Sequence, residues 1–204
     1  MKLLPLGTGD GFARDRWSCC AAVIHDDATL LIDCPHPIRR MLKPHLDIGD
    51  ILCTVVTHLH ADHASGLEGL LWFSRFALQK KARLAMHADV RRRLWDGHLA
   101  VGMEALLQPD GSKARLTLDD LADITELPAR VGPFTIECRE TVHHIPTFAL
   151  RISAGAQRIS FSAHAGGPQL DSSSLAGQSL SPSHLPAEAM QWPLAQVNSF
   201  AAQP

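Results

Sequence analysis

The sequence predicts an α/β fold, and three observations carry that expectation. Short apolar runs alternate along the chain with stretches whose apolar residues recur at helical spacing. One run, Ile51 to Thr57, is continuously apolar and β-branched, the pattern of a strand buried on both faces. The length of 204 residues suits one substantial core and is short for two.

The elements follow in order. Leu3 to Leu6 reads as a strand ending in the turn-rich loop Gly7-Thr8-Gly9-Asp10-Gly11. Ala21 to Ile24 and Thr29 to Asp33 flank Asp26-Asp27 and predict a β-hairpin. Ile38 to Leu42 reads as a short helix, and Ile51 to Thr57 as the buried strand. Leu67, Leu70, Leu71 and Leu78 give helical spacing over about Ser65 to Gln79. Ala82 to Met86 reads as a strand. Asp89 to Met103 reads as one helix with Val90, Leu94, His98 and Val101 on a single stripe, weakened near its end by Gly102. Phe134 to Val142, Phe148 to Ile152 and Arg158 to Ser162 read as strands.

Composition narrows the function classes. Hydrophobic residues make up 46% and charged residues 20%, ordinary for a soluble globular protein. A net charge of −2 does not point to nucleic acid or an anionic membrane, although RNA stays open through local basic clusters. Those clusters are Lys80-Lys81 with Arg83, and Arg91-Arg92-Arg93, read as solvated charges. No apolar run approaches the ~20 residues that span a bilayer. The first seven residues are too soon broken by Pro and Gly for a signal peptide, so a cytoplasmic protein is expected. The five cysteines, an odd number with no Cys-x-x-Cys, read as reduced packing residues.

The chemistry concentrates in Thr57-His58-Leu59-His60-Ala61-Asp62-His63. His58 and His60 are two residues apart, so extended backbone sends both imidazoles to one side. Asp62 and His63 follow in a tight turn. Imidazole and carboxylate together suit zinc and other borderline divalent cations, with manganese and iron as alternatives. Three histidines and an aspartate in six residues, mounted on a buried strand, predict a metal centre. Asp33, at the end of its strand, reads either as a partner for a metal histidine or as a plain turn residue.

The string His58-x-His60-x-Asp62-His63 resembles the signature of the metallo-β-lactamase superfamily. Leu6-Gly7-Thr8-Gly9 and Leu30-Leu31-Ile32-Asp33 are similar to its branch containing ribonuclease Z and the cyclic phosphodiesterases of phosphonate metabolism. That branch carries a further metal histidine five residues before a Phe that leads into a strand ending in Arg. His143-His144-Ile145-Pro146-Thr147-Phe148-Ala149-Leu150-Arg151 matches it, with His143 rather than His144 in the ligand position. The resemblance covers about residues 3–163 and implies an αββα sandwich holding one or two metal ions at its edge.

By the resemblance, His58, His60 and His143 hold one ion, Asp62 and His63 begin the second site, and Asp62 serves catalysis by orienting the attacking water. The implied reaction is phosphodiester hydrolysis by a metal-activated hydroxide on a small-molecule or nucleotide substrate. A thioester or lactone hydrolase, or an inactive single-metal remnant, is the alternative. A homodimer stays open.

The family pattern breaks after Ser162-Ala163. The bridging aspartate expected there is His164, a substitute ligand that cannot bridge two ions as a carboxylate does. All Lys and Arg residues lie at or before Arg158, and residues 165–204 are rich in Ser, Pro, Ala and Gln. The expected organisation is therefore a metal-binding domain over 1–164 and an atypical, irregular segment over 165–204. A disrupted reading frame near residue 164 would account for both departures.

Overall fold

Residues 1–162 are described by a computed structural model. Their extended runs pair into two main sheets. The first holds six strands: β1 (Lys2–Gly7), β2 (Cys20–His25), β3 (Ala28–Ile32), β4 (Ile51–Val55), β5 (Ala82–Met86) and β8 (Ala122–Glu126), in the spatial order β1-β2-β3-β4-β5-β8. A hairpin of β6 (Ala105–Leu107) and β7 (Lys113–Arg115) stands apart. The second sheet runs β12-β11-β10-β9, from β9 (Ala129–Val131), β10 (Phe134–Thr141), β11 (Thr147–Ala154) and β12 (Gln157–Phe161).

β1, β2 and β3 pair antiparallel, whereas β3, β4, β5 and β8 run parallel. The residues joining the parallel strands include the helices α1 (Ile38–Leu42), α2 (Ala61–Ala64), α3 (Leu67–Phe76), α4 (Ala88–Leu94), α5 (Ala100–Met103) and α6 (Leu118–Leu121).

The period of two in the strands divides the core into two layers. Ala21, Val23, Leu30 and Ile32 point toward the second sheet and pack with Phe134, Ile136, Leu150, Ile152 and Phe161. Ala22, Leu31 and Leu84 point the other way, against Ile38, Leu67, Leu71, Val90, Leu94 and Leu121. Every buried apolar helical residue joins this second layer. Among the described residues, then, the order is helices, sheet, sheet, three of the four layers of an αββα sandwich. The segment 165–204, expected to be irregular, lies outside the described residues.

Three sequence expectations need correction. The helix expected over Asp89 to Met103 is interrupted by a π-helical turn, Trp95–Leu99. One extra residue per turn rotates the buried stripe. Leu99 and Met103 therefore succeed Val90 and Leu94 in the core, and Val101 is 94% exposed. The strand expected over Ile51 to Thr57 ends at Val55, because Thr57 has left the ladder to serve the site described next. The expected helix over Ser65 to Gln79 shortens to α3, and Phe76 is exposed while stacking on Trp72.

Candidate metal centre

Parallel pairing aligns the carboxyl ends of β3, β4 and β5, the place where α/β sheets collect ligands. Asp33 directly follows β3, and His58 comes three residues after β4. The chain through His60 then enters α2, which carries Asp62 and His63. Two backbone hydrogen bonds clamp these segments together, Cys34 N to His63 O at 2.7 Å and Gly66 N to Cys34 O at 2.8 Å. The approach is so close that a Cβ on Gly66 would lie 2.3 Å from Pro35 O, which requires glycine.

The second sheet supplies His143 from the loop between β10 and β11. A hydrogen bond of 3.2 Å from Phe148 N to Thr57 O ties β11 to the histidine segment. The ligating atoms of His58, His60 and His143 all lie within 4.8 Å of one another. His143 Nε2 stands 2.9 Å from His60 Nδ1. Asp62 Oδ2 stands 3.5 Å from His63 Nε2. His144 is exposed and falls outside the three-histidine group, its ring centroid 6.4 Å from that of His60.

These donors fit a divalent cation. Two ligand atoms each ~2.0–2.1 Å from one tetrahedral zinc stand about 3.3 Å apart, close to both separations just given. Imidazole nitrogens predominate, with one carboxylate beside them, the donor chemistry zinc accepts.

Behind the donors lies a buried polar network. Asp33 is fully buried with a φ of +63°, a left-handed conformation that aspartate tolerates. Its Oδ1 accepts from Thr57 N at 2.8 Å and from Thr57 Oγ1 at 2.9 Å, and its Oδ2 is 2.7 Å from His63 Nδ1. Thr57 Oγ1 is in turn 2.9 Å from His58 Nδ1. Asp33 is thus both of the things its sequence position allowed, a strand-end turn residue and a partner of a cluster histidine. Burial opposes protonation of His63, but the Asp33 hydrogen bond and charge, with Asp62, outweigh it and raise the imidazole above its ordinary value.

Around the rim, the glycine loop approaches Asp62: a Cβ on Gly11 would lie 3.3 Å from Asp62 Cγ. Burial, then the charges of Asp33 and Asp62, push the Cys19 thiol up to about 12. All five cysteines are free thiols, as the sequence suggested. His98 contacts Ala64 O at 3.2 Å behind α2, a structural position. His87 stacks on Phe148 with ring centroids 4.0 Å apart.

The structure therefore brings His58, His60 and His143 into one group and sets Asp62 and His63 beside it. His164 lies outside the described residues. Thr57 was missed by sequence reasoning, although a hydroxyl immediately before the first histidine of the motif was a usable signal. A groove of ≈ 310 Å³ lies at the opposite, amino-terminal ends of β4 and β5 and contains none of the histidine cluster. Of the basic clusters, Lys80 donates to Gly49 O, Arg91 pairs with Glu126 and Arg92 with Asp89. No helix among the described residues is long and apolar enough to cross a membrane.

A two-sheet sandwich with His-x-His-x-Asp-His at the carboxyl ends of its parallel strands defines a metallo-β-lactamase-fold protein. The solved metallo-β-lactamase-fold protein YhfI from Bacillus subtilis superposes with a TM-score of 0.60, at 19% identity, over 78% of this chain and 61% of its own. The family described as Anti-Pycsar protein Apyc1 matches residues 1–172, and this chain belongs to it. The anti-Pycsar protein Apyc1 of Paenibacillus sp. (strain J14) is 31% identical over 163 residues, 75% of this chain and 63% of the relative. Ribonuclease Z of Exiguobacterium sp. is 31% identical over 156 residues, 74% of this chain and 48% of the relative. The chain thus spans about half to two thirds of the length of these relatives.

Proposed function

We propose that this protein is a metal-dependent hydrolase of phosphodiesters, with nucleotide phosphodiesters the favoured class. The observation that carries the proposal is the convergence of His143, from the second sheet, on His58 and His60, from the first. Three imidazoles would hold one divalent ion, for which zinc is the best candidate. Asp62 and His63 begin a second position, for which the sequence has His164 where the family pattern has a bridging aspartate. A bound ion would supply Lewis acidity and a water acidified from ~15.7 to near 7. The chain's own part would be to orient a water through the Asp62 carboxylate, beside which the glycine loop passes at Gly11.

Metal-centre chemistry alone does not choose phosphorus over a carbonyl. The choice rests on the N-terminal resemblance and on the relative named ribonuclease Z. The test uses the full chain with added zinc or manganese against bis(p-nitrophenyl) phosphate, a cyclic nucleotide, a thioester and a lactone. Turnover of the phosphodiesters that is lost in H58A supports the reading. Turnover of only the thioester or lactone moves the assignment to that class. A folded, zinc-loaded sample inactive on all four favours a single-metal remnant. Metal analysis is expected to find one tightly held zinc per chain, and two tight ions with ordinary enzyme rates would contradict that.

A further inference from the structure

The loop between β1 and β2 carries a large apolar side chain that the fold does not bury. Gly9 N donates to Trp17 O at 2.8 Å and closes the neck, so residues 10–16 stand out as a compact loop. Within it Asp10 Oδ1 accepts from Phe12 N at 2.9 Å, and Asp10 O accepts from Ala13 N at 3.3 Å. These bonds fix the backbone at Phe12. The inside of the loop is already filled, because a Cβ on Gly9 would lie 2.6 Å from Ala13 Cβ. The ring of Phe12 is left outside, 95% exposed.

Single exposed apolar residues are ordinary on a protein surface, so placement decides what this one means. Six large hydrophobic residues are exposed among the described residues, and three of them, Phe12, Trp17 and Val142, lie in the two loops that border the donors. Phe12 follows Gly11, whose Cβ position is 3.3 Å from Asp62 Cγ, and Val142 precedes His143. Consecutive Cα atoms stand about 3.8 Å apart, so the Phe12 backbone is one step from the Asp62 carboxylate. The rest of the loop surface is charged, with Asp10, Arg14, Asp15 and Arg16 all exposed. The apolar area is therefore only a ring or two wide. A stable protein partner covers roughly 800 Å² on each side, whereas one flat base covers one ring.

We infer that Phe12 is a specificity-determining residue, a stacking platform for the base of a nucleotide whose phosphoryl group lies at the metal centre. The inference rests on the phosphodiester reading and names the part of the substrate that this reading leaves open. A nucleotide held by its phosphoryl group at the donors carries its base one sugar away, toward the rim. Every base has a π face that an aromatic ring can cover, and a sugar phosphate without a base has none.

The test compares two probes on the zinc-loaded full chain, adenosine 5′-monophosphate and ribose 5-phosphate. They share phosphoryl group and sugar and differ by the base. Neither is a phosphodiester, so calorimetry reads binding without turnover. The wild type is expected to bind the nucleotide roughly 5–100-fold more tightly than the ribose phosphate. F12A should lose that preference and bind ribose phosphate as before, and F12W should keep it. The exposed ring leaves F12A with the wild-type Tm. V101A, which removes an equally exposed side chain from α5, should leave both affinities unchanged. Equal affinities for the two probes in the wild type overturn the inference, as does a preference that survives in F12A. A wild type that self-associates while F12A stays monomeric, with equal affinities for the probes, assigns the ring to contact between copies and overturns it too. Phosphodiester turnover without a base preference sinks the platform and leaves the hydrolase reading standing. A base preference lost in F12A, in a protein that turns over no phosphodiester, upholds the platform while the hydrolase reading falls.

Discussion

The two walls of the metal centre are built on opposite principles. One wall is the carboxyl edge of the first sheet, where Asp33, Thr57, His58 and His63 are all buried and bonded to one another. The other is the loop after β10, where His143 is half-buried between exposed Val142 and His144. The difference teaches that folding and metal binding are entangled on the first wall and separable on the second. A change to the first disturbs packed polar groups with no water to replace them. A change to the second removes a donor and its contacts with neighbouring imidazoles, at a half-buried position.

The largest expected effect tests the first wall. Asp33→Ala strands His63 and the Thr57 N–H in the interior, and should cost ~3–5 kcal/mol, as when one member of a buried pair is removed. Urea unfolding measures it, and a loss below ~1 kcal/mol would show that the wall is wetter than its burial implies. Next comes Gly66→Ala, whose new methyl meets Pro35 O and must spread the clamp between β3 and α2. The expected loss is ~1–3 kcal/mol, with weakened zinc binding although no donor is altered.

His143→Ala should reverse the balance. Its unfolding free energy without metal should stay within ~0.5 kcal/mol of wild type, as for other surface changes. Zinc affinity should collapse, read by competition with a chromophoric chelator. His144→Ala should alter neither quantity, and a loss of zinc there would exchange the roles of the two histidines.

The smallest effect lies on β10 and β11 below that loop. Arg151 donates two hydrogen bonds of 2.6 Å to Glu137, and these hold the Glu137 carboxyl below its ordinary range. A depressed folded value means that the pair stabilises above the ordinary carboxyl range, and that this is lost as pH falls through the depressed value. Both partners are partly exposed, so Glu137→Gln should lower Tm only slightly at neutral pH. The difference between variant and wild type should close in acid.

Legibility in the sequence followed the same division. The hairpin of β2 and β3, α1, β5 and the strand leading to His58 could all be read, because local periodicity and a buried partner demanded the same state. Val101 was misplaced because a single π turn, invisible to spacing rules, shifts the stripe by one position. The stretch from Glu104 to Val131 was not assigned. Its strands β6, β7 and β9 have three residues each, and β8 acquires its state by pairing with β5, a distant segment. His143 was found by resemblance to a family pattern, since no local rule links it to a motif 83 residues away.

The amino-acid sequence alone determined which donors the protein owns and that an α/β scaffold carries them. Residue type and short-range periodicity are local properties, and they survive being read one window at a time. Only the tertiary structure decided which groups stand behind those donors. Asp33 lies 24 residues before Thr57 and 30 before His63, and parallel strand pairing brings its carboxylate against both.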